Sequence, residues 1–98
     1  MSLLLSARTL EEKWILCSNV NCQIFDSYYE DGVSFTWDGE ILNNKAHGHG
    51  TAVRYINNEL HSTFVGNYEN GIRVGKGKLS WADGRELECE FTNNQATG

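Results

Sequence analysis

Residues 64–84 have the sequence FVGNYENGIRVGKGKLSWADG, and this stretch decides the fold. Its first part, residues 64–69, has Phe64, Gly66 and Tyr68 at every second position, and this period of two is typical of half-buried β-strands. Asn70-Gly71 follows, and this dipeptide favours a tight hairpin turn because both residues tolerate positive φ. A second run then leads to Asp83-Gly84, which is another turn sequence. The stretch therefore predicts one β-hairpin with a turn at each end.

The same pattern occurs twice more in the chain. In an earlier copy, Gly39 and Gly48 lie 27 positions before Gly66 and Gly75. A later copy occupies residues 87–98 and is shifted by 23 positions, which places an insertion near Ile56–His61 in the first copy. Repeats of roughly 20–50 residues are the mark of arrays built from one structural unit. We therefore expect successive hairpins that continue a single antiparallel meander.

Glycine is abundant in the repeats, and proline is absent from the chain. Glycine within a strand often marks a bend or a close approach of another group, here an aromatic ring from a neighbouring strand lying against the backbone. The predicted fold is mainly β, a strongly curved single sheet with an aromatic concave face. The glycines given this structural role are Gly39, Gly48, Gly50, Gly66, Gly71, Gly75, Gly77 and Gly84. The aromatic residues assigned to the concave face are Trp37, Tyr55, Phe64, Tyr68, Trp81 and Phe91.

The N-terminal segment, residues 1–27, differs from the repeats and is expected to cap the meander of residues 28–98 within one domain. Thr9-x-x-Glu12 matches a capping box and predicts a short helix over residues 10–17. The alternative is a strand over residues 14–17 that turns at residues 18–21 into a second strand over residues 23–29. The sequence favours neither alternative.

Charge and composition restrict the classes of partner. The net charge of −5 argues against nucleic-acid binding, because phosphate contacts require a basic patch, and it disfavours contact with membrane lipid. No apolar run reaches the roughly 18 residues that a membrane span needs. Residues 1–5 lack the basic region and the apolar length of a secretory signal. Three cysteines, an odd and sparse set, suit a reducing compartment, so we expect a soluble, cytoplasmic protein.

The aligned repeats share the pattern aromatic-x-Gly-x-aromatic-x-Asn-Gly-x-x-x-Gly-x-Gly, followed by an aromatic residue and Asp-Gly. This pattern resembles the MORN repeat (membrane occupation and recognition nexus), with about two and a half copies over residues 28–98. The match is clearest at residues 64–84, and the first copy departs from it at Ile41 and Asn44, where an aromatic residue and glycine are expected. The resemblance implies a meander of β-hairpins.

The resemblance to the MORN repeat also implies a class of function. MORN arrays serve as scaffolding, dimerisation and protein-binding modules, and no catalytic residue belongs to the motif. Residues 28–32 resemble in addition a variant of the repeat that occurs in bacterial antitoxin-like proteins. An antitoxin-like regulator is therefore an alternative function.

Two histidines raise the alternative of a metal site. His47 and His49 are predicted to share one face of a strand, and Cys17 and Cys22 could add thiolates to complete a tetrahedral zinc site. The spacing of the two cysteines is looser than that of a zinc knuckle. The favoured interpretation is therefore that the two histidines lie in a turn that faces solvent. The Gly-x-Gly elements are not phosphate loops, because no Gly-x-x-x-x-Gly-Lys and no strand-to-helix transition surrounds them. The sequence therefore predicts no cofactor, no metal and no catalytic residue, with a metal protein or enzyme using His47, His49 and a cysteine as the alternative.

The favoured function is a non-catalytic module that binds a protein partner of unknown identity or a second copy of itself. An aromatic strip on a concave sheet is a candidate binding surface. The third copy ends at Gly98 without a returning strand, so the outer edge of residues 87–91 is expected to be open, and we predict a homodimer. The residues predicted to form the binding surface are Trp37, Tyr55, Phe64, Tyr68 and Trp81.

Overall fold

The computed structural model describes residues 13–97. Within that range the chain forms β-strands and no helix, so no helix there is long and apolar enough to cross a membrane. The strands are β1 (Trp14–Leu16), β2 (Gln23–Phe25), β3 (Val33–Trp37), β4 (Glu40–Leu42), β5 (Lys45–Ile56), β6 (Glu59–Glu69), β7 (Ile72–Trp81), β8 (Glu86–Thr92) and β9 (Gln95–Ala96).

The strands make one curved, open sheet, as the sequence predicted. β5, β6, β7 and β8 follow one another as antiparallel neighbours, and the long β5 also pairs with β3 through its C-terminal half and with β4 through its N-terminal end. The third copy was expected to lack a returning strand. Instead β9 returns for two residues and pairs with Phe91 and Thr92.

Asparagine forms most of the hairpin turns. Both central residues have positive φ in each of four two-residue turns, with φ between 49° and 83°. Asparagine and glycine are the residues that most readily adopt this conformation, which matches the right-handed twist of the adjoining strands. The local sequence therefore fixes where each hairpin reverses. The four turns are Asn43-Asn44, Asn57-Asn58, Asn70-Gly71 and Asn93-Asn94.

The core follows a line of aromatic rings across the sheet. Trp37 contacts Tyr68 edge to face, with ring centroids 5.0 Å apart. Phe64 makes the same kind of contact with Tyr68 at 5.5 Å and with Phe91 at 5.2 Å. Edge-to-face contacts of this kind add about 0.5–1.5 kcal/mol each to the energy of burial. All four rings are buried, so each hairpin contributes to one continuous core.

The glycines make room for two of these rings, and each ring lies against one glycine two residues after it and one glycine of the neighbouring strand. Phe64 folds back over Gly66 of its own strand and over Gly77 of β7, and a Cβ at Gly66 would lie 2.6 Å from the Phe64 ring. Trp37 lies in the same way over Gly39 and Gly50. The other predicted structural glycines have positive φ: Gly48, Gly71, Gly75 and Gly84.

The N-terminal segment contains strands where the structure describes it. Residues 14–16 form β1, the strand alternative, and residues 10–12 of the predicted helix lie outside the described residues. β1 pairs with β2, and Trp14 packs against Phe25 with ring centroids 5.4 Å apart. β2 ends at Phe25 and does not continue to residue 29, because the Asp26 carboxylate accepts a hydrogen bond from the Tyr28 N–H at 3.0 Å and turns the chain.

Residues 23–27, which we term the N-terminal strap, cross the hairpin turns of the successive repeats. The N–H of Gln23 donates to the carbonyl of Asn44 at 2.8 Å, and the N–H of Phe25 donates to the carbonyl of Gly71 at 2.9 Å. The hydroxyl of Ser27 accepts from the Asn94 side chain at 3.1 Å. Every second residue of the strap therefore forms a hydrogen bond to one of three successive hairpin turns.

Candidate functional site

The concave face of the sheet holds an open groove of about 710 Å³. This volume is within the range of pockets that bind ligands, about 300–1,000 Å³. Aromatic side chains form its floor, and the segment after β2 forms one wall together with polar side chains from β5, β6 and β7. The floor residues are Phe35, Phe64, Tyr68 and Phe91.

Arg54 is the centre of the polar wall. Its Nε and a terminal nitrogen both lie 3.1 Å from Oδ2 of Asp26, and the side chains of this ion pair are only 11% and 7% exposed. The same guanidinium donates to the carbonyl of Tyr28 at 3.0 Å and lies 3.1 Å from Nδ1 of His61. Buried ion pairs are tolerated when further hydrogen bonds satisfy both partners, and this one meets that condition.

His61 reaches the groove because of a β-bulge. The register between β5 and β6 shifts between Arg54 and Tyr55, so that Arg54 lies opposite Ser62 and Tyr55 lies opposite Leu60. His61 is the additional residue, and its Nδ1 lies 2.9 Å from the hydroxyl of Ser62. Burial and the neighbouring Arg54 guanidinium lower the pKa of His61, which keeps the ring neutral near pH 7.

Arg73 lies along the floor at the other side of the groove. Its guanidinium carbon is 4.7 Å from the centroid of Phe91 and 5.5 Å from that of Phe64, within the range of cation–π attraction. Nε donates to Oδ1 of Asn94 at 2.8 Å, and a terminal nitrogen donates to the carbonyl of Asn94 at 3.1 Å. Burial lowers the pKa of the Arg73 guanidinium, although the group stays charged because its ordinary pKa is so high.

An apolar rim borders the groove on the side of β7 and β8. Trp81 and Leu79 are half-buried there, and Leu87 is 43% exposed. The Arg85 guanidinium lies over the Trp81 ring, 4.9 Å from its centroid. Within residues 13–97, the rim therefore keeps partly exposed apolar surface, above all at Leu87, next to polar groups that are already paired.

The repeats that build this groove match a known family. The family model of the MORN repeat matches residues 37–58 and residues 64–84. The chain carries a MORN-repeat segment. No curated protein and no solved structure gives a significant match to the chain. The MORN repeat is a non-catalytic repeat unit that is generally involved in binding and scaffolding.

The MORN repeats place the five predicted binding residues in three different environments. Trp37, Phe64 and Tyr68 are core residues, between 1% and 4% exposed, and so are not a free surface. Tyr55 lies opposite Leu60, outside the groove. Trp81 is half-buried and lines the groove. The curved sheet, with small residues beneath the Trp37 and Phe64 rings, encloses these buried side chains, and the binding role of the five residues stays a prediction.

The MORN repeats do not bring the predicted metal ligands together. Among residues 13–97, no three His, Cys, Asp or Glu side chains converge to hold a metal ion. His47 accepts a hydrogen bond from the Asn70 N–H at 3.4 Å, and His49 is exposed. The Cys17 and Cys22 sulfurs lie 2.6 Å apart in the core, where burial raises the pKa of both thiols.

The polar residues of the groove were not predicted from the sequence. Asp26 and Arg54 are 28 positions apart, and Asp26 belongs to the segment outside the repeats. His61 lies in the insertion that separates the first two MORN repeats, and this irregular spacing was the available signal. Asn94 was recognised as a turn residue, but its contacts with Arg73 and Ser27 depend on the stacking of the turns.

Proposed function

We propose that the chain is a non-catalytic binding module and that its concave groove holds a segment of a protein partner. The observation that carries this proposal is the open groove of about 710 Å³, whose apolar rim is partly exposed in the part of the chain that the structure describes. The polar groups beside that rim are paired within the chain: Arg54 with Asp26, and Arg73 with Asn94. A partner thus gains apolar contacts without having to neutralise a buried charge, which would be costly.

The chemistry of the groove indicates what the partner segment presents. An apolar side chain would pack against Trp81 and Leu87, since buried aromatic anchors contribute most of the energy of many interfaces. Because Arg54 can only donate, Nδ1 of the neutral His61 ring is the acceptor and the proton lies on Nε2. The Nε2–H would donate to a carbonyl or carboxylate oxygen of the partner.

A peptide selection tests the proposal. Random peptides displayed on phage are selected on the immobilised chain, and each selected peptide is then titrated against the Trp81→Ala variant. Truncation of a central anchor should weaken binding by about tenfold or more. The matched control is Tyr55→Ala, which removes a half-buried aromatic ring outside the groove and should leave the affinity unchanged.

Equal affinities for the two variants and the parent would overturn the assignment of the groove. Thermal melts of both variants establish that each one folds. The homodimer predicted from the sequence stays a prediction, and sedimentation velocity at micromolar concentration tests it.

A further inference from the structure

The outer edge of β8 is open along most of its length. β8 pairs with β7 on one side, from Ser80↔Glu86 to Gly75↔Phe91. On its other side β9 pairs only with Phe91 and Thr92, and the Thr97 N–H donates to the carbonyl of Glu90 at 2.8 Å. In the part of the chain that the structure describes, no strand covers that side before Glu90.

The backbone groups at this edge point away from the sheet. N–H and C=O groups alternate in direction along a strand, and the Glu90 carbonyl faces the β9 side. The backbone groups of Glu88 and Glu86 therefore face the same open side, while those of Leu87 and Cys89 face β7. Unpaired groups of this kind are a template for another strand.

The edge at the opposite end of the sheet, formed by β3, is covered by other residues of the chain. The outer side of β3 is covered by residues 17–19: the Ser18 N–H donates to the carbonyl of Phe35 at 2.7 Å. The Asn19 side chain accepts from the Trp37 N–H at 3.1 Å and donates to the Trp37 carbonyl at 3.0 Å, as a neighbouring strand would. Among residues 13–97, the chain therefore closes the β3 edge with its own groups and leaves the β8 edge open before Glu90.

Charge indicates what would pair with the open edge. Glu86, Glu88 and Glu90 are exposed and point to one face of the sheet. On the β7 side, Lys78 lies opposite Glu88 and forms an ion pair with Glu86 at 3.1 Å, and Lys76 lies opposite Glu90. An added strand would place its own side chains on the other side of the same glutamates, and opposite charges in directly paired positions stabilise a sheet.

A second copy of the chain fits this edge poorly. Paired residues of a continuous sheet share a face, so two β8 strands related by a twofold axis through the sheet would place glutamate against glutamate. Like charges directly opposite each other destabilise strand pairing. The homodimer predicted from the sequence would thus require another surface.

We infer that the outer edge of β8 binds an extended segment of another protein by antiparallel strand addition, and that this segment alternates basic with apolar residues. Its basic side chains lie beside Glu86 and Glu88, because Thr97 already occupies the outer side of Glu90. Its apolar side chains lie on the groove face beside Leu87, which is 43% exposed, and Cys89. The hydrogen bonds of this interaction come from backbone groups at the edge of the sheet, and its apolar contacts share Leu87 with the rim of the groove.

The probe for this inference is a fluorescent peptide of about seven residues that alternates lysine with valine, titrated against the chain by fluorescence anisotropy. We expect saturable binding that weakens as salt is raised, since exposed charges are screened. Each glutamate of the edge replaced by glutamine should weaken binding by up to about fivefold. Glu59→Gln, which removes an exposed glutamate of β6, is the matched control and should have no effect.

Two further variants separate strand addition from simple charge attraction. Glu88→Pro removes an N–H that faces solvent, so it should abolish binding while the fold survives, as proline is tolerated at strand edges. On the peptide side, N-methylation of the lysines should abolish binding, whereas N-methylation of the valines should not, because in antiparallel pairing the residues opposite the glutamates exchange the hydrogen bonds. This second comparison stands even if Glu88→Pro fails to fold.

Three results would overturn the inference. Failure of the lysine–valine peptide to bind would mean that the glutamates serve only to prevent other strands from pairing with this edge. Equal binding of the two N-methylated peptides would mean nonspecific attraction of charge. A dimer of the chain that Glu88→Pro converts to monomer would mean that the edge pairs with a second copy.

Discussion

Arg73 and Asn94 form hydrogen bonds with each other in both directions. The Arg73 guanidinium donates to Oδ1 and to the carbonyl of Asn94, at 2.8 and 3.1 Å, and the Asn94 N–H donates back to the carbonyl of Arg73 at 3.0 Å. Asn94 is 4% exposed and has a φ of 74°, so one residue forms a hairpin turn and satisfies a buried cation. This arrangement anchors the last turn to the floor of the groove.

The Arg73–Asn94 contact gives the first prediction. Asn94→Gly keeps the backbone freedom of the turn but removes the acceptor of a charged hydrogen bond, which should cost roughly 1.5–3 kcal/mol of unfolding free energy. The matched control is Asn44→Gly at the equivalent turn, where the side chain is exposed and the change should be nearly neutral. Urea denaturation measures both. Equal midpoints would show that the Asn94 side chain does not stabilise the last turn.

The turn at Asn70-Gly71 gives the second prediction. Gly71 has a φ of 83°, and a Cβ there would lie 2.5 Å from the ring of Trp14. Gly71→Val should cost roughly 3 kcal/mol or more, because a left-handed conformation costs a β-branched residue about 1–2 kcal/mol and the overpacked ring adds about 1–3. Asn44→Ala, at an exposed turn position, should cost about 1 kcal/mol. Equal melting temperatures for the two variants would contradict the turn assignment.

The buried ion pair gives the third prediction. Asp26→Ala leaves the Arg54 guanidinium without its carboxylate and should cost roughly 3–5 kcal/mol, a large share of the 5–15 kcal/mol that stabilises a typical domain. Glu86→Gln breaks an exposed ion pair with Lys78, whose side chains are 57% and 40% exposed, and should leave the melting temperature unchanged. A melting temperature for Asp26→Ala as high as that of the control would refute a stabilising role for the pair.

His61 gives a prediction for pH. Its pKa in the folded chain is lowered from the ordinary 6.5, first by burial and then by Arg54, although Asp26 and Glu30 partly oppose this shift. Well above pH 6.5 the ring is neutral in both states, so it adds no pH dependence there. As the pH falls below that value, the unfolded chain binds the proton more readily, and stability is lost until the folded pKa is reached.

Thermal melts of the parent chain and of His61→Gln between about pH 7.5 and pH 5 measure this effect. The parent should lose more stability over that interval than the variant does, since the carboxylates that titrate below it are common to both. Parallel curves would show that His61 titrates alike in the folded and unfolded chains.

The hairpins could be predicted because their determinants are local. Asn70-Gly71 and the paired asparagines specify turns within a few residues, and the aromatic residues two positions apart specify the buried face. Tyr55 was assigned to the concave face because it is aromatic. Ala52 and Arg54 are the residues of β5 that line the groove, and Tyr55 directly follows Arg54. Because side chains alternate along a strand, Tyr55 points away from the groove.

The polar groove could not be predicted because its contacts are distant in sequence. Ser27 and Asn94 are 67 positions apart, and their contact exists only once three turns have stacked. The bulge that brings His61 into the groove depends on the register between β5 and β6. A periodic pattern shows which residues face inwards, but it does not show which of them meet across a curved sheet.

The N-terminal strap has a further consequence for arrays of this type. It meets the turns at Asn44, Gly71 and Asn94 with residues two positions apart, so each hairpin corresponds to two residues of the strap. The length of the strap therefore matches the number of hairpins that it contacts. A further hairpin inserted between these turns would leave one of them without its contact unless two residues were added to the strap. Repeat number and strap length are thus expected to change together, in steps of one hairpin and two residues.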